Sequence, residues 1–564
     1  MSTDTTQKPV TKVEEIKIAS NFLRGTIAQG LDDPTTGAIA EDDTNLLKFH
    51  GMYQQDDRDL RIERKRQNIE KAFIFMIRVR VPGGVSTPDQ WLMMDELSET
   101  YGNKTIKLST RQAYQLHGLI KKDLRKTIQG MHSKLMDSIA ACGDVNRNVM
   151  CNPDPEQSEH HQEIFQLSKS ISEHLLPKSK AYYEIWLEQE KVVGTEEFEP
   201  LYGATYLPRK FKIGVALPPS NDVDIFSQDL GYIAIVENNK IIGYNVTVGG
   251  GLGTSHGQSD TYPRLADILG FVTPDQVLKT AEGVMTTQRD FGDRTSRKHA
   301  RLKYTIDDRG IEWFKNEVEN RMGFKFQPAK TFVFDRIADR YGWNKGIDGK
   351  WSLTLFIQNG RVKDTADYPM KTALREIAKI HDGDFRLTAS QNLIIAKISD
   401  ANRPKVEAIL QSYKMDKCWE QSGLRLNSLA CVALPTCGLS LAESERYLPD
   451  LLKEIEKTLE ECGLQNDAIS IRMTGCPNGC ARPYLAEIGL IGRAPGKYNL
   501  YLGAKYDGTR LNSLYKESLK HDEIIAELSG IIRRYAKERN QGETFGDFCI
   551  RTDYVKPFQR ATHA

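Results

Sequence analysis

The sequence predicts an α+β fold made of two copies of one unit, set as related lobes on either side of a cleft. Three observations predict it. "IKLSTRQAYQLHGL" (Ile106 to Leu119) aligns without gaps on "FRLTASQNLIIAKI" (Phe385 to Ile398). "NVMCNP" (Asn148 to Pro153) falls on "SLACVA" (Ser428 to Ala433), and "YNVTVGG" (Tyr244 to Gly250) on "YNLYLGA" (Tyr498 to Ala504), in the same order. Each copy mixes short alternating runs of strand period, such as "FIFMIRVRV" and "LTLFIQNGR", with helical runs such as "LREIAKIH". The period is far too long for a solenoid, whose units run to about 50 residues.

With 564 residues the chain exceeds what one core holds, about 300 residues, so several domains are expected. Lysine and arginine total 77 against 76 acidic residues, which excludes a global field for nucleic acid or an anionic membrane. The start, "MSTDTTQKPVTKVEEIK", has no apolar signal core, and the most apolar run, "LACVALPTCGLSLA", is too short to span a bilayer. A cytoplasmic location is the expectation. There, nine cysteines argue for metal or redox use over disulfides. Cys142, Cys418, Cys462 and Cys549 stand alone and read as small buried hydrophobes.

Along the chain, the first ~70 residues end in "HGMYQQDDRDLRIERKRQ", which reads as an extended arm or partner-docking segment, or else as a solvated helix. Cations then gather in the first copy. Arg78 and Arg80 lie in "MIRVRVPGG", Arg111, Gln115 and His117 in "STRQAYQLHG", and Arg147 in "DVNRNVMC". "YLPRKFK" adds Arg209, Lys210 and Lys212; "TTQRDFGDRTSRKHARLKY" adds Arg289, Arg294, Arg297, Lys298, Arg301 and Lys303. Strand alternation through "PRKFKIGVAL" puts Lys210 and Lys212 on one face. Arg78 and Lys212 lie among apolar residues on strands expected to be partly buried; buried charge needs counter-charge, and "MIRVRVPGG" and "PRKFKIGVAL" carry no acid, so a polyanionic ligand is implied. His117 by itself reads as a hydrogen-bonded core histidine. "GGGLGTSHG" misses the dinucleotide-binding spacing because His256 stands where the last glycine is needed.

The second copy differs. Ser390 and Asn427 replace Arg111 and Arg147, and thiols appear: Cys431 and Cys437 as C-x5-C, then Cys476 and Cys480 as C-x3-C in "TGCPNGCARP". Four thiolates on two loops can hold zinc or an iron-sulfur cluster. The absence of C-x2-C knuckles favours the larger object. Ser440 followed by Glu443 has the capping-box pattern, which predicts a helix starting just after Cys437 with its amides facing the cluster.

"ACVALPTCGLSLAE", "TGCPNGCARPYLAEIGLIG", "STRQAYQLHG", "NRNVMC" and "YLPRKFK" together resemble the haemoprotein (beta) subunits of assimilatory NADPH-dependent sulfite reductases, within the nitrite and sulfite reductase sirohaem/iron-sulfur family. The resemblance runs from about Ser20 to about Phe548. It implies two pseudo-symmetric ferredoxin-like/sirohaem-binding repeats arranged as three domains around a cofactor cleft. These follow an N-terminal arm (1-70): a ferredoxin-like paired-repeat domain (71-140 and 343-417), a sirohaem and substrate domain (141-342), and a cluster and sirohaem domain (418-564). It implies sirohaem and a 4Fe-4S cluster, with Cys431, Cys437, Cys476 and Cys480 as cluster ligands and Cys480 also on the sirohaem iron. Arg78, Arg147, Lys210 and Lys212 would surround sulfite. Arg111, Gln115, His117, Arg289, Arg297, Lys298, Arg301 and Lys303 would contact the macrocycle's carboxylates or line its pocket.

The implied activity is the six-electron reduction of sulfite to sulfide in sulfate assimilation and cysteine biosynthesis. Electrons would come from a separate NADPH-dependent flavoprotein (alpha) subunit docking on the N-terminal arm. The alternatives are a sirohaem nitrite reductase and a non-catalytic zinc-binding protein.

Overall fold

The structure, a computed structural model, describes residues 9–154, 158–188, 197–258 and 260–559. Four five-stranded sheets organise these residues. The first runs Met52–Asp56, Phe73–Arg78, Tyr114–Leu119, Ile106–Leu108, Arg361–Val362, antiparallel throughout. Another repeats that order with Gly342–Lys345, Trp351–Leu355, Leu393–Ile398, Asp384–Leu387, Val85–Ser86. In each, the last strand comes from the other copy. Exchanged edges give both sheets a partner where an exposed edge would invite aggregation, and they bind the copies into one body.

The remaining two sheets are also a matched pair. One runs Met150–Cys151, Ile213–Ala216, Leu230–Glu237, Lys240–Val248, Asp267–Val272; the other runs Ser428–Ala430, Ile471–Thr474, Ile488–Ala494, Lys497–Leu502, Ser513–Leu519. In both, the first three strands are parallel and the rest antiparallel. Ile213–Ala216 and Ile471–Thr474 are buried on both faces, as parallel strands require. All three repeated sequence blocks land on equivalent strands of the two copies.

One core runs through the first three sheets, and a second lies under the fourth, where the helices Leu448–Glu461 and His521–Glu538 pack on each other. Among the described residues no helix is long and apolar enough to cross a membrane.

Two local expectations are corrected. The described part of the first 70 residues is no extended arm: Leu46, Leu47, Phe49 and Met52 are buried in the main core, and Met52–Asp56 is an edge strand. Within it the helix Arg61–Arg66 buries none of its residues. Nor does a helix start at Ser440. Ser440 Oγ donates to the Ala442 carbonyl at 2.7 Å and Glu443 pairs with Arg446 at 2.5 Å, so both capping groups are engaged elsewhere. The helix begins instead at Leu448, with Pro449 in its first turn, where a missing N–H does no harm.

Candidate functional site

The thiols sit at the carboxyl ends of two adjacent parallel strands. Cys431 follows Ser428–Ala430 and Cys476 follows Ile471–Thr474. Gly475 N–H donates to Cys431 Sγ at 3.4 Å, and a Cβ at Gly475 would run into Ser440 Oγ and the Ala442 carbonyl. Gly479, at φ +64°, turns the chain between Cys476 and Cys480 in the left-handed region that glycine enters freely. Of the nine cysteines, Cys480 alone is exposed. Burial first, then the neighbouring Cys480, pushes the Cys431, Cys437 and Cys476 thiols up, with Cys476 at about 12. The four are thus within Coulomb reach of one another. Among the described residues no three His, Cys, Asp or Glu are placed to hold a single metal ion.

Facing Cys480 is the cation set. Lys210 and Lys212 lie just before the strand Ile213–Ala216, one on each side of Phe211, which bridges to Asn146 and buries its ring. The alternation holds although this stretch is not regular strand. Burial, then Arg301, Arg147 and Arg209, holds Lys210 well below the usual lysine range, with Cys480 acting the other way. Burial, then Lys210, Arg301 and Arg111, does the same to Lys212. Neither ammonium has a hydrogen bond or ion pair among the described residues. Arg111 donates to Gln228 Oε1 at 2.9 Å and to the Ile213 carbonyl at 2.8 Å, but its buried Nε has no partner. Arg301 reaches Asp229 at 3.1 Å, and its buried Nε is also unpaired.

Strand register places a polar row across the first sheet: Arg78 opposite Gln115, Gln115 opposite Lys107, Lys107 opposite Arg361. With its amide turned to suit, Gln115 accepts from Arg78 Nε at 2.9 Å and donates to His117 Nε2 at 3.2 Å. Arg78 Nη1 also donates to Cys142 Sγ at 3.0 Å. Arg147 donates to the Gly143 carbonyl at 3.2 Å and lies beside Tyr53. Orphaned buried guanidinium nitrogens and two unpaired ammonium groups leave a positive surplus that a multiply anionic ligand next to Cys480 would neutralise. A macrocycle bearing carboxylates, ligated by Cys480, fits these residues. A cavity of about 330 Å³ lies elsewhere; Asp154, His160, Asp222 and Asp339 line it, and none of the thiols does.

The family "Nitrite/Sulfite reductase ferredoxin-like half domain" matches residues 67–134 and 344–413. "Nitrite and sulphite reductase 4Fe-4S domain" matches residues 167–326, the stretch that carries Lys210, Lys212 and Arg301. The chain is 58% identical to the sulfite reductase (NADPH) hemoprotein beta-component of Oceanobacillus iheyensis, over 97% of this chain and 95% of that one. It is 57% identical to that of Geobacillus kaustophilus, over 98% of each. The protein of the same name from Myxococcus xanthus is 56% identical over 97% of each. The chain belongs to this hemoprotein beta-component family. The solved structure of Mycobacterium tuberculosis NirA protein shares the fold, with a TM-score of 0.78 at 24% identity over 97% of each chain.

The structure gathers Arg78, Arg111, Gln115, Arg147, Lys210, Lys212 and Arg301 within electrostatic or hydrogen-bond reach of one another, and Lys210 among them reaches Cys480. Others of the expected residues stand further back. His117 is buried with Nδ1 unpaired; burial, then Arg361, holds it well below the usual histidine range, and it meets the row only through Gln115. Arg297 pairs with Asp144 at 2.5 Å. Lys303 donates to the carbonyls of Gly251 at 3.1 Å and Gly253 at 3.0 Å, bracing a loop whose Thr254 N–H donates to the Pro477 carbonyl at 3.0 Å. Arg289 is engaged by Asp290 and the Leu201 carbonyl, and Lys298 is exposed.

Sequence reasoning missed two supports of the cysteine loops. Arg58 donates to the carbonyls of Cys437 at 3.2 Å and Ser440 at 2.7 Å. Thr110 Oγ1 donates to the Cys480 carbonyl at 3.0 Å.

Proposed function

We infer that the protein reduces sulfite to sulfide at a sirohaem coupled to a 4Fe-4S cluster, with Cys431, Cys437, Cys476 and Cys480 as cluster ligands and Cys480 shared with the sirohaem iron. The observation that carries this reading is the single exposed thiol, Cys480, within electrostatic reach of the unpaired Lys210 while the other three thiols stand behind it. When bound, the two cofactors supply electrons and the metal on which sulfur is reduced. The chain's own residues do the rest.

Arg78, Arg147, Lys210 and Lys212 hold the sulfite dianion, and Arg111 and Arg301 hold macrocycle carboxylates. Converting sulfite to hydrogen sulfide takes six electrons and eight protons and releases three waters. Burial lowers the pKa of Lys210 and Lys212 and an anion beside them favours their charged form, so the pair can both hold the anion and hand protons to the place where oxygens leave. Fixed cations there stabilise charge building on the departing oxygens by several kcal/mol, on the order found for preorganised donors.

The division of labour follows the repeat. Segments 71-140 and 343-417 form the frame, 141-342 presents the cations, and 418-564 presents the thiols. NADPH oxidation belongs to a flavoprotein alpha subunit, and the pair works in the cytoplasm.

The test is a visible spectrum with iron and acid-labile sulfide analysis, followed by turnover with a reduced dye. Coloured protein that carries sirohaem and labile sulfide and prefers sulfite to nitrite is expected. A colourless zinc protein, or a marked preference for nitrite, would overturn the reading.

A further inference from the structure

Arg482 stands two residues beyond Cys480, at φ +55°, in the left-handed region that L side chains rarely adopt. Asp224, at φ +48°, has the same conformation. Each residue caps a short 3-10 helix, Pro483–Leu485 or Ile225–Ser227. Each stands eleven residues past the start of its parallel strand and six before the start of the next. They are therefore the same position of the two copies, carrying opposite charges, and they meet: Arg482 Nε donates to Asp224 Oδ2. Arg472 adds a second guanidinium at 2.6 Å from the same oxygen, and all three residues are buried.

The rest of the Arg482 guanidinium repeats the symmetry. Nη1 donates to the Thr110 carbonyl at 2.8 Å and Nη2 to the Ala389 carbonyl at 2.9 Å. Thr110 and Ala389 are aligned with each other in the ungapped repeat. One side chain thus holds the equivalent turn in both copies. Thr110 closes a circuit, because its hydroxyl donates to the Cys480 carbonyl at 3.0 Å while its own carbonyl is held by Arg482. The next residue, Arg111, belongs to the cation set.

We propose that Arg482 and Asp224 are a positioning pair that sets the Cys480 sulfur relative to the cations of the first copy, and through it the electronic coupling between cluster and sirohaem. The proposal rests on the reading of Cys480 as the shared ligand. Neither residue touches substrate; both act through the Cys480 backbone and the Thr110 turn.

The experiment uses full-length, cofactor-loaded protein with Arg482→Lys, and with Thr110→Val, which removes only the hydroxyl link and leaves the buried charges untouched. Both variants are expected to retain iron and labile sulfide but to show a shifted sirohaem visible spectrum and a shifted cluster midpoint potential. The kcat for sulfite should fall about tenfold or more in Arg482→Lys and less in Thr110→Val, with little change in KM. Loaded variants with wild-type spectrum and potential, changed only in melting temperature, would overturn the proposal. Should Arg482→Lys fail to accumulate, an unchanged spectrum in Thr110→Val overturns it alone. A wild-type protein without sulfur-ligated sirohaem would overturn the proposed function, and this inference with it.

Discussion

Lys210 is where the electrostatics of the site is most exposed to test. Among the described residues it has no acceptor of its own, and it feels Arg301, Arg147 and Arg209 against Cys480. If its role is to hold the anion and give it protons, Lys210→Ala should lower sulfite kcat/KM by roughly a hundredfold, the scale for losing one preorganised group at a developing charge. The sirohaem spectrum should stay as it is; loss of absorbance would make Lys210 a cofactor-retention residue instead. Residues of this kind could be proposed from the sequence because the signal is local: alternation puts Lys210 and Lys212, which flank Phe211 in the chain, on one face, and short spacings pair the cysteines. Arg58 and Thr110 were not legible, because their partners Cys437 and Cys480 lie 379 and 370 residues away. No window of sequence carries that information.

At the scale of elements, the helix Lys12–Ala19 is fastened by a buried ion network. Lys17 pairs with Glu14 at 2.5 Å and lies 3.8 Å from Asp144, which is held by Arg297. Burial pushes the Asp144 carboxyl up, but Arg297 and then Lys17 outweigh it and hold it well below the usual carboxylate range. A carboxyl with a lowered folded-state pKa contributes stability that is complete above its unfolded value, near 3.9, and is lost as pH falls below that. Asp144→Asn should therefore destabilise the fold by about 3 to 5 kcal/mol, since it leaves buried cations uncompensated. Thermal unfolding across pH should show the variant less sensitive to acid than the wild type; equal melting points at neutral pH would remove Asp144 as an anchor. Hydrophobic runs such as "LLKF" were the readable sign that this segment is packed, yet its charge density pointed to an arm. The helix expected at Ser440 failed for a related reason: a capping pattern works only if its side chains are free, and tertiary contacts engage both.

For the whole molecule, the repeat was the most legible feature, because three blocks in one order survive insertions between them. What the blocks could not reveal is the exchange of edge strands, which depends on the two-residue pairings Arg361–Val362 with Ile106–Lys107 and Val85–Ser86 with Phe385–Arg386. The symmetry explains the division of chemistry: the two equivalent sheets are linked through Asp224 with Arg472 and Arg482 and through Thr254 with Pro477, one half bringing cations and the other thiols. The central claim is that the Cys480 sulfur belongs to both metal centres. X-ray absorption and electron paramagnetic resonance of the sirohaem iron, compared between wild type and Cys480→Ser, test it most directly. The account predicts a sulfur ligand on that iron in the wild type, and loss of the ligand, the cluster and sulfite reduction together in the variant. A Cys480→Ser protein with both chromophores and full turnover would contradict it.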